Sequence, residues 1–247
     1  MKLLIVEDET ALADGLKFNF EQEGYMVELA GDGPTALGCF QSADPPFDLV
    51  ILDLMLPGMS GYETCQSIRA IDNQIPVLVL SARTLSEDKA QAFDCGTDQY
   101  MAKPFALPEL LSRVRNLIER RTVLTSSAYS NGKRRRQTYE FSGIRVDFDT
   151  FEVIVGQSIH NLTTMEMQLL CYFIENEKLV LSREQILKDV WGETAEITTR
   201  SIDNFVMRLR KLIESNPSDP RHILSVRGTG YRFIADPNAT ASAKIAN

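Results

Sequence analysis

Five polar residues in the first half of the chain follow short aliphatic runs. Glu7 and Asp8 come directly after "LLIV", Asp53 closes "LVILD", Ser81 follows "VLVL", and Lys103 follows "QYMA". A continuous aliphatic run bounded by turn residues is typical of a buried strand in a parallel sheet, where an unpaired charge is costly. We therefore expect each polar residue to lie where a strand ends, at the sheet edge where ligands bind.

The residue types at this edge indicate a particular chemistry. Three clustered carboxylates repel one another unless a cation neutralises them, and hard oxygen ligands suit Mg²⁺, so Glu7, Asp8 and Asp53 are candidate metal ligands. The metal alone does not require Lys103 or Ser81. A tetrahedral dianion attached to Asp53 would use Lys103 as a point charge and Ser81 as a donor. The pattern predicts a phosphoryl acceptor, although Asp53 taken alone would equally suit a solvated loop residue.

The surrounding sequence predicts the elements that position these residues. In residues 1–121 the runs "KLLIV", "VELA", "LVIL", "VLVL" and "QYM" alternate with segments of helical length. This alternation predicts an α/β fold, a doubly wound sheet of five parallel strands.

A different pattern begins at Thr138. The runs "IRVDF" and "FEVIV" predict a hairpin, and three helical segments follow, two of them after the capping patterns Thr163/Glu166 and Ser182/Gln185. The third helix is expected to start near Thr199, and "HILSVRGTGYRFI" predicts a terminal hairpin. This order of elements predicts an α+β winged helix-turn-helix domain.

Composition changes between these segments. We predict a linker at residues 122–137, which contain four basic and no acidic residues, and a disordered tail at 236–247. Residues 1–121 hold 10 Lys and Arg against 19 Asp and Glu, whereas residues 200–232 hold 7 against 3. The predicted domains are therefore an acidic one at 1–121 and one at 138–235 with a local basic surface that would permit nucleic-acid binding.

Other features exclude several classes of protein. No apolar run reaches the length of a membrane span, and "MKLLIVEDE" becomes acidic too early for a signal peptide, so we expect a soluble, cytoplasmic protein. The four cysteines have no metal-ligand spacing and are predicted to be small buried residues within helices: Cys39, Cys65, Cys95 and Cys171.

Residues 1–121 resemble the receiver domain of two-component response regulators, which has a flavodoxin-like fold. The motifs "VEDE", "DLMLPGMSG", "LSAR" and "YMAKPF" carry the resemblance in order. It implies that Asp53 accepts a phosphoryl group from a sensor histidine kinase with Mg²⁺ as cofactor, and that Tyr100 is a switch residue. It also implies a homodimer surface, in which Gln99 replaces an acid and leaves Arg120 without one expected partner; its charged residues are Lys89, Asp98, Glu109, Arg113 and Arg120.

The third helix of the second domain has two faces. Ile202, Val206, Leu209 and Ile213 recur at helical spacing and should face the core, while the opposite face is polar. Together with "SVRGTGYRF" the helix resembles the effector domain of OmpR/PhoB-type regulators. That resemblance implies DNA-binding roles for Arg200, Asn204, Arg208, Arg210, Arg227, Thr229 and Tyr231. Lys211 shares the polar face with Arg200, Asn204 and Arg208, and such a stripe of donors suits a recognition helix in a major groove, although taken alone it would also suit a solvated helix face.

The second domain departs from the family pattern at two positions, and one of its residues has an alternative role. Phe205 and Met207 replace residues that are often polar in this family, so we expect a different base preference. Tyr231 would alternatively be structural, because a wing strand needs an inward-facing aromatic residue.

Together the two resemblances predict a bacterial transcription regulator switched by phosphorylation. Its partners would be a sensor histidine kinase, double-stranded promoter DNA with tandem half-sites about 10–11 base pairs apart, and RNA polymerase. One alternative is a phosphohydrolase that forms an aspartyl phosphate, but such enzymes carry a second Asp two residues on, where this chain has Met55. The other is a DNA-binding regulator whose receiver works without phosphate.

Overall fold

The computed structural model describes residues 1–83, 86–125, 138–192 and 199–237. The chain divides into two compact units, residues 1–122 and 123–247, and each is described by itself. Among the described residues, no helix combines the length and the apolar composition needed to cross a membrane.

The first unit is a parallel sheet with the strand order β2-β1-β3-β4-β5. This is the flavodoxin-like order, which confirms the predicted α/β fold. Its elements are β1 (Lys2–Val6), α1 (Thr10–Gln22), β2 (Met26–Ala30), α2 (Gly33–Ser42), β3 (Leu49–Asp53), α3 (Gly61–Ile71), β4 (Val77–Ser81), α4 (Ser86–Asp94), β5 (Gln99–Ala102) and α5 (Leu107–Thr125).

The central strands explain why polar residues collect at one edge. Every residue of β3 and β4 is buried, so these strands can carry aliphatic side chains on both faces. Their register pairs Asp53 with Leu80, and that of β4 and β5 pairs Ser81 with Ala102. The ends of three neighbouring strands therefore bring Asp53, Ser81 and the residue before Lys103 together at the carboxyl edge.

The described residues of the second unit form two antiparallel sheets and three helical segments, as expected for a winged helix-turn-helix domain. The sheets have the orders β6-β7-β8-β9 and β10-β12-β11. The elements are β6 (Thr138–Phe141), β7 (Ile144–Asp147), β8 (Glu152–Val155), β9 (Ser158–Asn161), α6 (Thr164–Glu175), β10 (Val180–Ser182), α7 (Arg183–Ile186) continued by a π-helical turn (Leu187–Trp191), α8 (Thr199–Ile213), β11 (Ile223–Val226) and β12 (Gly230–Phe233).

The capping patterns read from the sequence act at both predicted helix starts. The hydroxyl of Thr163 accepts from the amide of Glu166, whose carboxylate accepts in turn from the amide of Thr163, which completes a capping box. At α7 the hydroxyl of Ser182 accepts from the amide of Gln185 at 3.0 Å. Both contacts satisfy backbone donors that a helix start leaves unpaired.

The structure also differs from the sequence-based expectation. The predicted hairpin of β7 and β8 is the centre of a four-stranded sheet, because β6 and β9 add a strand on each side. Helix α5 continues to Thr125, so residues 122–125 of the predicted linker are helical. The rest of that linker and residues 238–247 of the predicted tail lie outside the described residues.

The four cysteines are free thiols. Cys65 and Cys171 are buried in helices, as predicted. Cys39 and Cys95 are only partly buried, and Cys95 lies just after α4 rather than within it.

Candidate functional site

Three carboxylates meet at the carboxyl edge of the parallel sheet. Ligand oxygens of Glu7, Asp8 and Asp53 all lie within 4.8 Å of one another. The Lys103 ammonium joins two of these groups, since its Nζ lies 2.6 Å from Oδ2 of Asp53 and 2.7 Å from Oε2 of Glu7. The other Asp53 oxygen, Oδ1, accepts from the amide of Met55 at 2.8 Å. The predicted acidic pocket is therefore assembled around Asp53.

Burial and pairing act in opposite directions on the charges of this pocket. Burial raises the pKa of Glu7, against the lowering effect of its bonds to Lys103. Burial would lower the pKa of Lys103, but its bonds to Asp53 and Glu7 outweigh that effect and raise the pKa above its ordinary value. The raised pKa favours the ammonium form of Lys103 at neutral pH, and an ammonium can pair with anionic oxygens.

Ser81 and Tyr100 lie next to the pocket and share a partner. Ser81 is fully buried, and its hydroxyl accepts from the amide of Arg83 at 3.2 Å. Tyr100 is 3% exposed, and its hydroxyl donates to the carbonyl oxygen of Arg83. The Arg83 guanidinium bonds Asp88, in the first turn of α4, at 2.8 Å. The loop after β4 therefore links the predicted phosphoryl-binding hydroxyl to the predicted switch residue.

Gly61 positions the start of α3 against the end of β3, beside the Asp53 pocket. An ideal Cβ at Gly61 would lie 2.1 Å from the carbonyl oxygen of Asp53 and 2.5 Å from Cα of Leu54. Only glycine permits this approach of α3 to the end of β3. The sequence contained a partial indication of this contact. Gly61 directly follows Ser60, the N-cap residue of α3, so it is the first residue of the helix that starts just after β3.

The predicted dimer residues have different surroundings. Asp98 is fully buried, bonds Arg69 Nη2 at 2.6 Å and accepts from the amide of Val77 at 2.8 Å. Its carboxylate is therefore engaged within the chain rather than exposed as an interface charge. The side chain of Lys89 lies outside the described residues.

Arg113 and Gln99 also differ from the expectation. Arg113 is 2% exposed and bonds Glu109, and its Nη1 lies 3.5 Å from Oε1 of Gln99. The sequence pattern had linked Gln99 to Arg120 instead. Arg120 is partly buried, its Nη1 has no hydrogen-bond partner among the described residues, and burial lowers its pKa.

Helix α8 buries the apolar face that the sequence predicts. Ile202, Val206, Leu209 and Ile213 are at most 4% exposed. Phe205 is also fully buried and packs on Trp191 with ring centroids 5.1 Å apart. Its expected influence on base preference is therefore corrected, because this side chain belongs to the core.

The polar face of α8 and the turn between β11 and β12 carry the candidate DNA-binding residues. Lys211, Arg227 and Thr229 are exposed and Asn204 is partly exposed. Arg208 is partly covered and pairs with Glu166, Nη2 to Oε1, at 2.8 Å. The side chain of Arg200 lies outside the described residues.

Two of the predicted DNA contacts point inward instead. Arg210 is 8% exposed and donates to the carbonyl oxygen of Ile223 through Nε and Nη2 at 3.0 and 2.6 Å. Tyr231 is 3% exposed, and its hydroxyl donates to Asp203 at 2.5 Å. These bonds hold α8 to the two wing strands, so the structure favours the structural alternative for Tyr231 and assigns Arg210 to the same role.

Two family models match the chain in order. Residues 3–115 match the response regulator receiver domain, and residues 156–233 match the C-terminal domain of transcriptional regulatory proteins. The first match contains the acidic pocket, and the second contains α8 and the wing.

Full-length relatives extend this similarity. The chain is 39% identical over 231 residues to the sensory transduction protein RegX3 of Mycobacterium tuberculosis, covering 94% of this chain and 98% of that protein. It is 38% identical over 237 residues to the response regulator MprA of Mycobacterium avium, covering 96% and 100%. A solved structure of a RitR mutant shares the fold, with a TM-score of 0.71 and 24% identity over 95% of this chain and 99% of that chain. The chain therefore belongs to the two-component response regulators of the OmpR/PhoB type, transcription regulators that join a receiver to a DNA-binding domain.

Proposed function

We propose that Asp53 accepts a phosphoryl group from the phosphohistidine of a sensor histidine kinase, and that this event controls DNA binding. The observation that carries the proposal is the position of Lys103, whose Nζ lies 2.6 Å from Asp53 Oδ2 at the end of a buried strand. An ammonium at this place would neutralise oxygens of a group attached to Asp53. The proposed location is the cytoplasm of a bacterium.

In the proposed transfer an Asp53 carboxylate oxygen forms a bond to phosphorus while the bond from phosphorus to the kinase imidazole breaks. Lys103 would offset the charge of the phosphoryl oxygens, and the Ser81 hydroxyl would donate to one of them. For this, Ser81 would turn from the Arg83 amide that it now accepts from. The receiver would thereby assist both its own phosphorylation and its later hydrolysis, although the family acts in transcription rather than as enzymes.

Mg²⁺ fits the donor set of this pocket. Glu7, Asp8 and Asp53 offer three carboxylate oxygens within 4.8 Å, the ligand chemistry and density that this ion prefers. Bound there, it would supply positive charge beside the phosphoryl oxygens.

The loop after β4 would transmit the change at Asp53 to the surface formed by α4, β5 and α5. Recruiting Ser81 toward Asp53 would displace Arg83, which holds the Tyr100 hydroxyl through its carbonyl group and α4 through Asp88. We propose that the rearranged surface of α4, β5 and α5 forms a homodimer. Lys89, Glu109 and Arg120 remain candidates for contacts across it, while Asp98 and Arg113 would brace it from within.

At the output, α8 would enter the major groove and the wing would contact the DNA backbone. In such a dimer, the second unit of each copy would occupy one of two tandem half-sites of promoter DNA about 10–11 base pairs apart. RNA polymerase would be a further partner. Asn204, Lys211, Arg227 and Thr229 support this proposal by their exposure. Arg200 is retained as a groove contact from the sequence.

The test compares wild type with Asp53→Asn after treatment of both with acetyl phosphate and Mg²⁺. Binding to promoter fragments and molar mass by light scattering are measured on the same samples. We expect wild type alone to become dimeric and to bind DNA more tightly. Equal DNA binding by both proteins would favour a regulator that works without phosphate.

A further inference from the structure

Arg208 lies on the border of the polar face of α8, and its charge is paired inside the domain. Nη2 of Arg208 lies 2.8 Å from Oε1 of Glu166, and the Arg208 side chain is 19% exposed. Its guanidinium also lies over the ring of Phe205, 5.6 Å from the centroid. The guanidinium is therefore held in place by an acid on another helix, α6, and by a core aromatic residue.

Glu166 is itself fixed by its place in α6. It is 4% exposed, and its second oxygen, Oε2, accepts from the amide of Thr163 at 2.8 Å as part of the capping box. A carboxylate in the first turn of a helix is further stabilised by the helix dipole. Each oxygen of Glu166 thus has a defined partner, so the carboxylate offers Arg208 a rigid anchor.

This pairing changes what Arg208 can contribute to a protein–DNA contact. A free cation on the binding face would neutralise phosphates on any sequence and release their counterions. A guanidinium already neutralised by a carboxylate gains less from a phosphate, but its fixed orientation suits a directed hydrogen bond to a base edge. Exposed Lys211, three residues on, has no acidic partner among the described residues and represents the first kind of residue.

We propose that Glu166 is a positioning residue for sequence discrimination: it anchors Arg208 for base contact and withholds its charge from phosphates. Glu166 does not touch DNA in this proposal. The inference rests on the proposed docking of α8 in the major groove, and it adds a specificity determinant on a different helix.

The capping box provides a conservative variant. Glu166→Gln keeps a side chain that can accept from Thr163, because Gln also serves in capping boxes, but it removes the negative charge that holds Arg208. A second variant, Glu166→Gln with Arg208→Met, restores the net charge of the pair without a guanidinium. The matched control is Glu63→Gln in the capping box of α3, an equal change of charge in the receiver.

The measurement uses full-length protein treated with acetyl phosphate and Mg²⁺. The probes are a duplex enriched by wild type from a random-sequence library and a scrambled duplex of the same composition. Affinity for both is measured as a function of salt, and thermal melting confirms that each variant is folded.

For Glu166→Gln we expect weaker binding to the enriched duplex, tighter binding to the scrambled one, and a fall of about tenfold in their ratio. The slope of log affinity against log salt on scrambled DNA should steepen by about 0.9, return to the wild-type value in the double variant, and stay unchanged in Glu63→Gln. An unchanged ratio and slope in Glu166→Gln would overturn the inference and leave the proposed function standing. Failure of wild type to enrich any sequence would overturn both.

Discussion

At the residue scale, the backbone around Asp53 is as constrained as the charges of its side chain. The amide of Gly61 donates to the carbonyl oxygen of Leu54 at 3.1 Å, which draws the start of α3 against the end of β3. No side chain fits between them, because an added Cβ would overlap the carbonyl oxygen of Asp53. The position of the acceptor carboxylate thus depends on a neighbour that contributes no chemistry.

Replacement of Gly61 by alanine should therefore lower receiver stability by about 1–3 kcal/mol and reduce phosphorylation by acetyl phosphate, since β3 and α3 must separate. Thermal unfolding by circular dichroism measures the first effect. The unfolding transition followed by Trp191 fluorescence should stay unchanged, because Trp191 is the one tryptophan of the chain and lies in the second unit.

Gly15→Ala is the control for this substitution. Gly15 lies within α1, and an added Cβ meets no atom within 4 Å. It should raise stability by up to about 1 kcal/mol through helix propensity. Equal behaviour of the two alanine variants would contradict the close-contact explanation.

At the element scale, α8 divides its basic residues between two tasks. Arg210 reaches inward to the start of β11, where Ile223 accepts two of its hydrogen bonds and Ser225 a third at 2.9 Å. Lys211, the next residue, is exposed. Arg210 therefore stabilises the wing, whereas its neighbour Lys211 is available for the proposed DNA contact.

The pair Arg210→Met and Lys211→Met separates these tasks. Arg210→Met leaves a buried carbonyl oxygen without its donor and should lower the stability of the second unit by about 1–3 kcal/mol. Lys211→Met should change stability by less than about 0.5 kcal/mol but make the salt dependence of DNA binding shallower by about 0.9 in slope. Urea unfolding followed by Trp191 fluorescence, with DNA titrations at several salt concentrations, measures both; reversed effects would contradict the assignment.

Tyr231 connects β12 to α8 through Asp203, and this contact predicts a pH dependence. Burial, with the bond to Asp203, raises the pKa of Tyr231 to about 12. The unfolded chain would lose this proton near pH 10, so the folded state is favoured below pH 10 and loses that advantage as the pH rises toward 12.

The variant that tests this is Tyr231→Phe. Wild type should be more stable by about 1 kcal/mol at pH 8, and the difference should shrink by up to about 1.4 kcal/mol per pH unit above pH 10. Urea unfolding at pH 8, 10 and 11 measures it. A difference that does not vary with pH would contradict the buried hydroxyl contact.

The elements differ in how far the sequence could predict them. Strands β1 to β5 were predicted nearly to the residue. For the central strands β3 and β4 the reason is that both faces are buried and apolar, which produces an uninterrupted aliphatic run. Strands β6 and β9 were missed, since "TYEF" and "SIHN" are short, flank the predicted hairpin and carry polar residues toward solvent. Helical spacing found the core face of α8.

Side-chain partners were predicted less well than elements. Spacing placed Glu7, Asp53 and Lys103 together because strand ends meet at one edge. It could not show that Asp98 pairs with Arg69, that Arg208 pairs with Glu166, or that Arg210 turns inward. Those contacts depend on tertiary neighbours distant in sequence, and the N–H donors of a guanidinium can be satisfied inside the domain by a backbone carbonyl oxygen, as Ile223 does for Arg210.

At the scale of the whole molecule, the proposed homodimer would connect phosphorylation of the acidic first unit to DNA binding by the second. Arg120 is well placed to take part, since it lies on α5, has a buried Nη1 without a partner among the described residues, and has a pKa lowered by burial. A buried unpaired charge is costly, and in the proposed dimer this guanidinium would gain a partner other than Gln99, which lacks the expected charge.

We therefore expect opposite effects from Arg120→Met. Without phosphorylation the receiver should be equally stable or more stable by about 1 kcal/mol, and after phosphorylation the dimer should dissociate at several-fold higher protein concentration. Circular dichroism and light scattering after acetyl phosphate treatment measure these effects. A less stable monomer with an unchanged dimer would contradict a role for Arg120 across the interface.

Phosphoryl acceptance by Asp53 underlies every proposed step from the kinase to DNA. The most direct measurement treats wild type, Asp53→Asn and the control Asp32→Asn with acetyl phosphate and Mg²⁺, and follows each by intact mass and by gel mobility with a phosphate-binding additive. Asp32 caps α2, a role that Asn also fills, so its variant should remain folded. We predict one added phosphoryl group on wild type and Asp32→Asn and none on Asp53→Asn. Equal phosphorylation of Asp53→Asn, or failure of a cognate kinase as well as acetyl phosphate to modify wild type, would rule out Asp53 as the phosphoryl acceptor.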